Sequence, residues 1–244
     1  VACVGRQFGK SMMAMNLVLY WAINDSPSRI LWVSPVYSQT DKVQKELMQA
    51  IGGTGIVESC NYSSSEIKLK NGSVILFRSA ERYDNIRGLT MDYGVLDEAA
   101  FMKDEAWREA IRPVFMVSGK RVLFISTPKG KNFFYNLYQL GISEDNEQYA
   151  SYTGSSYDTP YINRSEIEDA KKTLPPTVFE QEYLARFIDA GGEVFNNLDK
   201  NIFPKYGQPQ GKVYCGIDLG KQEDYTVATF IDSTGKVVDV YRAN

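Results

Sequence analysis

Gly5-Arg6-Gln7-Phe8-Gly9-Lys10-Ser11 joins a short apolar run, Val1-Ala2-Cys3-Val4, to a stretch rich in Met, Leu and Ala. A glycine-containing turn between a strand and a helix aims backbone N–H groups at an anion, and the helix dipole adds to the attraction. Gly9-Lys10-Ser11 has the chemistry of a phosphate-binding loop: Lys10 to reach the β- and γ-phosphates of a nucleotide such as ATP, and the Ser11 hydroxyl for Mg²⁺. The loop departs from the standard pattern, which puts a glycine where this chain has Val4; Gly5 comes one place late, followed by Arg6 and Gln7. The plain alternative is a glycine turn with a capping serine.

A second chemical group lies about 90 residues downstream, where Tyr93-Gly94-Val95-Leu96 runs into Asp97-Glu98-Ala99-Ala100. An apolar strand ending in two carboxylates supplies the other half of a nucleotide site. Asp97 would hold Mg²⁺, usually through water, and Glu98 would polarise the water that attacks the γ-phosphate. Such a pair is common by itself; joined to Gly9-Lys10-Ser11 it points to NTP hydrolysis. Ser126-Thr127-Pro128 ends another apolar strand, Arg121 to Ile125. Its hydroxyls suit sensing of the γ-phosphate, or a helix cap. Arg87, on a loop before Asp97, is either a stabiliser of transition-state charge, on its own or a neighbouring subunit, or a surface ion pair. Lys129 to Tyr135 mixes bases and aromatics. It reads better as a loop entering a helix whose rings pack on the core than as a nucleic-acid contact.

The elements that must position these groups follow from periodicity. Helices are expected over 12–24, 39–51 and 103–112, the last stopped by Pro113, and strands over 29–34 and 121–125. Gly52 to Gly55 reads as a loop, and a hairpin turns at Asn71-Gly72 between 66–70 and 73–78. An edge strand is expected over 148–152, and amphipathic helices over 164–173 and 177–186, flanking Pro175-Pro176, are expected to make a two-helix lid or subdomain. The β-α-β-α order gives an α/β fold, a mostly parallel sheet with helices on both faces. The region 189–210, rich in Gly, Asn and Pro, reads as a linker. Beyond it, 212–219, 225–231 and 236–241 form three antiparallel strands around turns at 220–224 and 233–235. The first carries Asp218, as in the opening of a ribonuclease-H-like fold. One carboxylate does not make a two-metal nuclease site.

The 244 residues are 43% hydrophobic and 23% charged, enough for one large domain or one and part of another. With 27 basic and 30 acidic residues the net charge is −3, so any nucleic-acid contact must be a local patch. There is no His, which removes His-based triads and His metal ligands. Cys3, Cys60 and Cys215 have no CxxC spacing and fit a reducing compartment rather than zinc. Neither a signal peptide nor an apolar run long enough to span a membrane is visible. The start only four residues before the loop is what a piece of a longer protein would show.

Taken together, the loop Gly5 to Ser11, Val95 to Ala100, Ser126-Thr127-Pro128, Arg87-Gly88 and Gly216-Ile217-Asp218-Leu219-Gly220 resemble the large terminase subunit of tailed bacteriophages. The resemblance implies a P-loop NTPase of the ASCE, RecA-like type over 1–188 with its helical lid at 160–188. A linker over 189–210 and the first strands of a ribonuclease-H-like nuclease over 211–244 would follow. It implies an ATP-driven motor, Arg87 acting in trans, and Ser126 and Thr127 coupling hydrolysis to movement. It implies double-stranded DNA, a portal protein and a small terminase subunit as partners, and a ring of subunits in the host cytoplasm, transiently at the procapsid portal. It gives Asp218 to an incomplete nuclease site. The rival readings are a superfamily-two helicase or translocase, which needs a second motor domain, and an inactive fragment.

Overall fold

The computed structural model describes residues 1–143, 146–188, 208–220 and 225–243, and the chain divides into two compact units, Val1–Ala190 and Gly191–Asn244. The expected linker lies almost wholly outside the described residues, as does most of the turn at 220–224.

In the first unit the strands are β1 (Ala2–Val4), β2 (Arg29–Ser34), β3 (Val57–Asn61), β4 (Glu66–Leu69), β5 (Val74–Ser79), β6 (Tyr93–Asp97), β7 (Arg121–Ser126) and β8 (Tyr152–Gly154). They form one sheet in the order β3-β4-β5-β2-β6-β7-β1-β8. From β5 to β8 every pairing is parallel; β3 and β4 add antiparallel strands at one edge. The order explains how distant motifs meet. β7, which ends in Ser126, sits between β1, which feeds the loop, and β6, which ends in Asp97. All three C-terminal tips therefore open on the same side.

The helices are α1 (Lys10–Asn24), α2 (Tyr37–Ile51), α3 (Phe133–Ile142), α4 (Arg164–Thr173) and α5 (Pro176–Glu182). Alternation along β2 divides the core. Ile30 and Trp32 pack with Ala14, Val18 and Trp21 of α1 and Val43 and Leu47 of α2. Leu31 and Val33 join the opposite cluster, with Phe133, Phe134 and Leu137 of α3. A strand covered on both faces needs apolar residues at every position, which is why RILWVS lacks polar alternation.

Several expectations are revised. The Asn71-Gly72 hairpin is present, and its second strand, β5, is an internal strand that also pairs in parallel with β2. β3 adds a strand where none is expected from sequence. Gly52–Thr54 forms a 3-10 turn. The helix expected at 103–112 is a π-helical segment, Ala106–Ile111, that passes directly into a 3-10 turn, Arg112–Phe115. Pro113 does not stop it, because proline is tolerated in a first turn where its missing N–H is not needed. For the same reason α5 begins at Pro176, and it ends at Glu182 instead of running to 186. The edge strand β8 lies later than expected.

The second unit is a three-stranded antiparallel sheet, β11-β10-β9, of β9 (Val213–Asp218), β10 (Thr226–Asp232) and β11 (Val237–Ala243). This is the strand arrangement expected of the region. No helix among the described residues is long and apolar enough to cross a membrane.

Gly94 lets β6 lie against the Phe115 ring, where a Cβ would meet Cζ at 2.4 Å. Gly94→Ala is expected to destabilise the chain by about 1–3 kcal/mol. Adding Phe115→Leu should recover part of that loss relative to the sum of the single changes, read by thermal melting.

Candidate nucleotide site

The loop leaves β1 with Gly5 pressed against its surroundings. A Cβ at Gly5 would lie 2.5 Å from Ser156 Oγ and 2.6 Å from the Tyr183 carbonyl, so glycine is required here by close approach. That explains the displaced glycine: Val4 still belongs to the buried strand, and the backbone first needs room at position 5. Gly9 has φ 96°, the left-handed conformation that turns the chain into α1. No side chain among the described residues caps α1, so its first turn, starting at Lys10, presents uncapped N–H groups and a positive dipole end. Phe8 lies over Gly154 of β8, where a Cβ would meet its ring at 2.8 Å.

Lys10 is buried, with 8% of its surface exposed. Its ammonium is 3.6 Å from Glu98 Oε1 and 3.5 Å from the Gly5 carbonyl, both long for a charged donor. Ser11 Oγ donates to Asp97 Oδ2 at 3.2 Å, which joins the start of α1 to the tip of β6. Asp97 is buried, and its carboxyl is pushed up to about 6: burial raises it most, the Glu98 charge adds to this, and Ser11 and Lys10 oppose it.

Glu98 adopts φ 52°, ψ 45°, a left-handed backbone that is strained for a residue with a side chain. That turn directs its carboxylate between Lys10 and Ser126. Ser126 Oγ donates to Glu98 Oε2 at 3.2 Å and accepts from the Ala100 N–H at 3.2 Å. Asn132 Nδ2 donates to the Ala100 carbonyl, while its side-chain oxygen accepts from the N–H groups of Phe134 and Tyr135. A hydrogen-bonded path thus runs from Glu98 through Ser126 and Ala100 to α3. The cap of α3 is Asn132, not Ser126 or Thr127, and Phe133 and Phe134 are core residues as the loop-to-helix reading held.

A cleft of about 380 Å³ opens at these strand tips, lined by Arg6, Gln39, Glu98, Phe101, Thr127 and Glu182 among others. The structure thus gathers Lys10, Ser11, Asp97, Glu98 and Ser126, with Arg6 and Thr127 on the cleft wall. Ser11 hydroxyl and Asp97 carboxylate are hard oxygen donors side by side, which fits Mg²⁺. Arg87 stands apart: it pairs with Asp84 at 2.9 Å and Glu109 at 3.0 Å, so the ion-pair reading describes its contacts within one chain. Asp218 ends β9 in the second unit, and no cluster of three or more metal-ligating side chains occurs among the described residues.

Sequence reasoning missed Glu182, Ser156 and Asn132. Asn132 carried a signal, since Asn before an apolar run is a common helix cap. The other two reach the loop from more than a hundred residues away and carried none.

The chain has an α/β fold with a mostly parallel sheet flanked by helices, and a glycine loop, an uncapped helix start and a carboxylate pair meet at its strand tips. The chain belongs to the terminase large subunit family: the family described as terminase large subunit, T4likevirus-type, N-terminal, matches residues 1–202. Among curated relatives, the large terminase of Escherichia phage T5 is 32% identical over 201 residues, covering 81% of this chain and 46% of its own. That of Thermus virus P23-45 is 28% identical, covering all of this chain and 59% of its own. The chain thus spans about three fifths or less of the length of these relatives. Among solved structures, the Thermus phage P74-26 large terminase ATPase domain matches with TM-score 0.65 at 28% identity, covering 77% of this chain and 88% of its own. The large terminase of another thermophilic bacteriophage, solved in complex with ATP-gamma-S, shares the fold: it matches with TM-score 0.61 at 18% identity over all of this chain and 62% of its own.

Because the Asp97 carboxyl is raised in the folded chain, ionising it costs stability above the unfolded value near 4. The cost grows as pH rises from about 4 to 6 and is constant above that. Without nucleotide or metal, Asp97→Asn should therefore be about 2 kcal/mol more stable than the parent at pH 7.5, with the gain vanishing near pH 4, read by denaturant unfolding.

Proposed function

We propose that this chain is the ATP-hydrolysing part of a phage DNA-packaging motor, acting on double-stranded DNA. The observation that carries the reading is the convergence of Lys10, Ser11, Asp97, Glu98 and Ser126 at the tips of β1, β6 and β7. The first turn of α1 and Lys10 receive the phosphates, trading the long contacts of the ammonium for phosphate oxygens. Ser11 and Asp97 would hold Mg²⁺, which when bound neutralises charge on the β- and γ-phosphates. Glu98, released from Lys10, accepts a proton from the attacking water, and Ser126 fixes its orientation. Loss of the γ-phosphate alters the Glu98–Ser126 contact, and the path through Ala100 and Asn132 carries the change to α3.

Arg87 exchanges its own-chain carboxylates for the γ-phosphate of a neighbouring subunit, adding charge as the transition state forms. The assembled ring would engage a portal protein and a small terminase subunit. Residues 1–188 form the ATPase domain with its lid near 160–188, followed by a linker over 189–210. Residues 211–244 open a ribonuclease-H-like domain in which Asp218 is one metal ligand; this chain is not proposed to cut DNA.

Mg-ATP hydrolysis measured with and without double-stranded DNA tests the reading. Turnover should rise with DNA. Glu98→Ala should lower kcat by about 10²-fold or more with nucleotide affinity little changed; parent-rate turnover in that variant would remove Glu98 as the base. Arg87→Ala should reduce turnover only at concentrations where subunits assemble. An equal loss in dilute monomer would assign it a role in its own chain.

A further inference from the structure

The loop that leaves β7 carries a charge that the nucleotide site does not use. Lys129 is exposed and holds its ammonium 4.6 Å from the centre of the Phe101 ring. Phe101 ends the 3-10 turn Ala99–Phe101 that follows Glu98, and it is 40% exposed on the wall of the same cleft. Lys103, also exposed, stands just beyond it in the chain. Among the described residues neither lysine forms an ion pair. Asp104 is committed elsewhere, to Arg108 at 3.4 Å and to the Phe133 N–H at 3.4 Å. Glu105 follows it, exposed on the same segment. The segments that carry the two lysines leave the tips of β6 and β7 and are stitched together. Ser126 Oγ accepts from the Ala100 N–H, Asn132 Nδ2 donates to the Ala100 carbonyl, and the Phe101 N–H donates to the Glu98 carbonyl at 3.0 Å.

We propose that Lys103 and Lys129, on either side of Phe101, form a shelf that binds backbone phosphates of double-stranded DNA. The inference rests on the DNA-motor reading and gives it a contact surface. A chain of net charge −3 has no global field for DNA, so contact needs a local group of cations without carboxylate partners. An ammonium is a point charge that reads no sequence, which suits a protein that must hold any stretch of a genome. The Phe101 ring favours duplex over single strands. Its face is covered by the Lys129 ammonium and is not free to stack on an unpaired base. That contact occupies the ring and leaves the three ammonium N–H donors of Lys129 for phosphate oxygens. The position also joins the shelf to hydrolysis. A change in the Glu98–Ser126 contact shifts the Ala99–Phe101 turn and the loop after Ser126 together, and both lysines ride on them. By reciprocity, DNA on the shelf biases the same contact.

The test is binding of a duplex oligonucleotide, followed by fluorescence anisotropy over a range of salt concentrations, for the chain and for the double variant Lys103→Gln, Lys129→Gln. Each lost phosphate contact should flatten the plot of log K against log salt by about 0.9, so the double variant should lose about 2 units of slope. Its affinity at low salt should fall about tenfold. Mg-ATP turnover without DNA should stay within about twofold of the parent, while the DNA-stimulated part is lost. Lys103→Arg with Lys129→Arg keeps both charges and should keep the slope. Lys171→Gln with Lys172→Gln removes the same charge from the exposed end of α4 and should leave the slope unchanged. An unaltered slope in the first variant, or an equal loss in the α4 control, would overturn the proposal. So would a loss confined to single-stranded DNA. A parent chain that binds no duplex removes the DNA reading itself, and this inference with it. A parent that binds while the variant matches it removes only the shelf.

Discussion

A lysine and an aspartate taken out of water at one point constrain the rest of this structure. Lys10 and Asp97 are both buried, and neither has a close full partner: Lys10 meets Glu98 at long range, and Asp97 has the Ser11 hydroxyl. Buried charges are tolerated only when paired and hydrogen-bonded. Here the compensation is partial, and the Asp97 carboxyl is raised as a result. A site poised in this way gains by binding a ligand of opposite charge pattern, phosphate oxygens toward Lys10 and a cation toward Asp97. The loop, the sheet order and the strained Glu98 backbone all maintain that geometry.

The sheet order is what makes the arrangement possible. Placing β7 between β1 and β6 puts a hydroxyl at the midpoint of the two charged tips, where Ser126 contacts Glu98 and the backbone of Ala100. Asn132 joins that backbone to α3 through one amide that serves two ends. On the far side of β1, Ser156 and Glu182 fix the loop to a 3-10 turn and to the end of α5. The loop is thus held from both flanks, and each flank leads to a helix.

Much of the site was legible because its chemistry is local. Gly9-Lys10-Ser11, Asp97-Glu98 and Ser126-Thr127 each sit at the end of a short apolar run, and such runs are visible in sequence. The helices α1, α2 and α4 followed from periodicity within a few residues at their ends. What escaped notice depends on pairing at a distance. Val57–Asn61 has little apolar character and becomes a strand by pairing with β4 at the sheet edge. The hairpin turn showed that β5 pairs with β4 but carried no information about its parallel pairing with β2. Pro113 looked like a stop because its place in a first turn depends on the preceding π-helical segment. Glu182 had no signal, since one carboxylate in an amphipathic helix resembles any other.

The most direct measurement is equilibrium binding of Mg-ATPγS to the chain and to Lys10→Ala. The expected result is one site per chain, weakened by about 10²-fold or more when the ammonium is removed, as for loss of a buried charge-assisted contact. Equal binding by the two proteins would contradict the assignment of the loop as the triphosphate site, and the motor function built on it would fall.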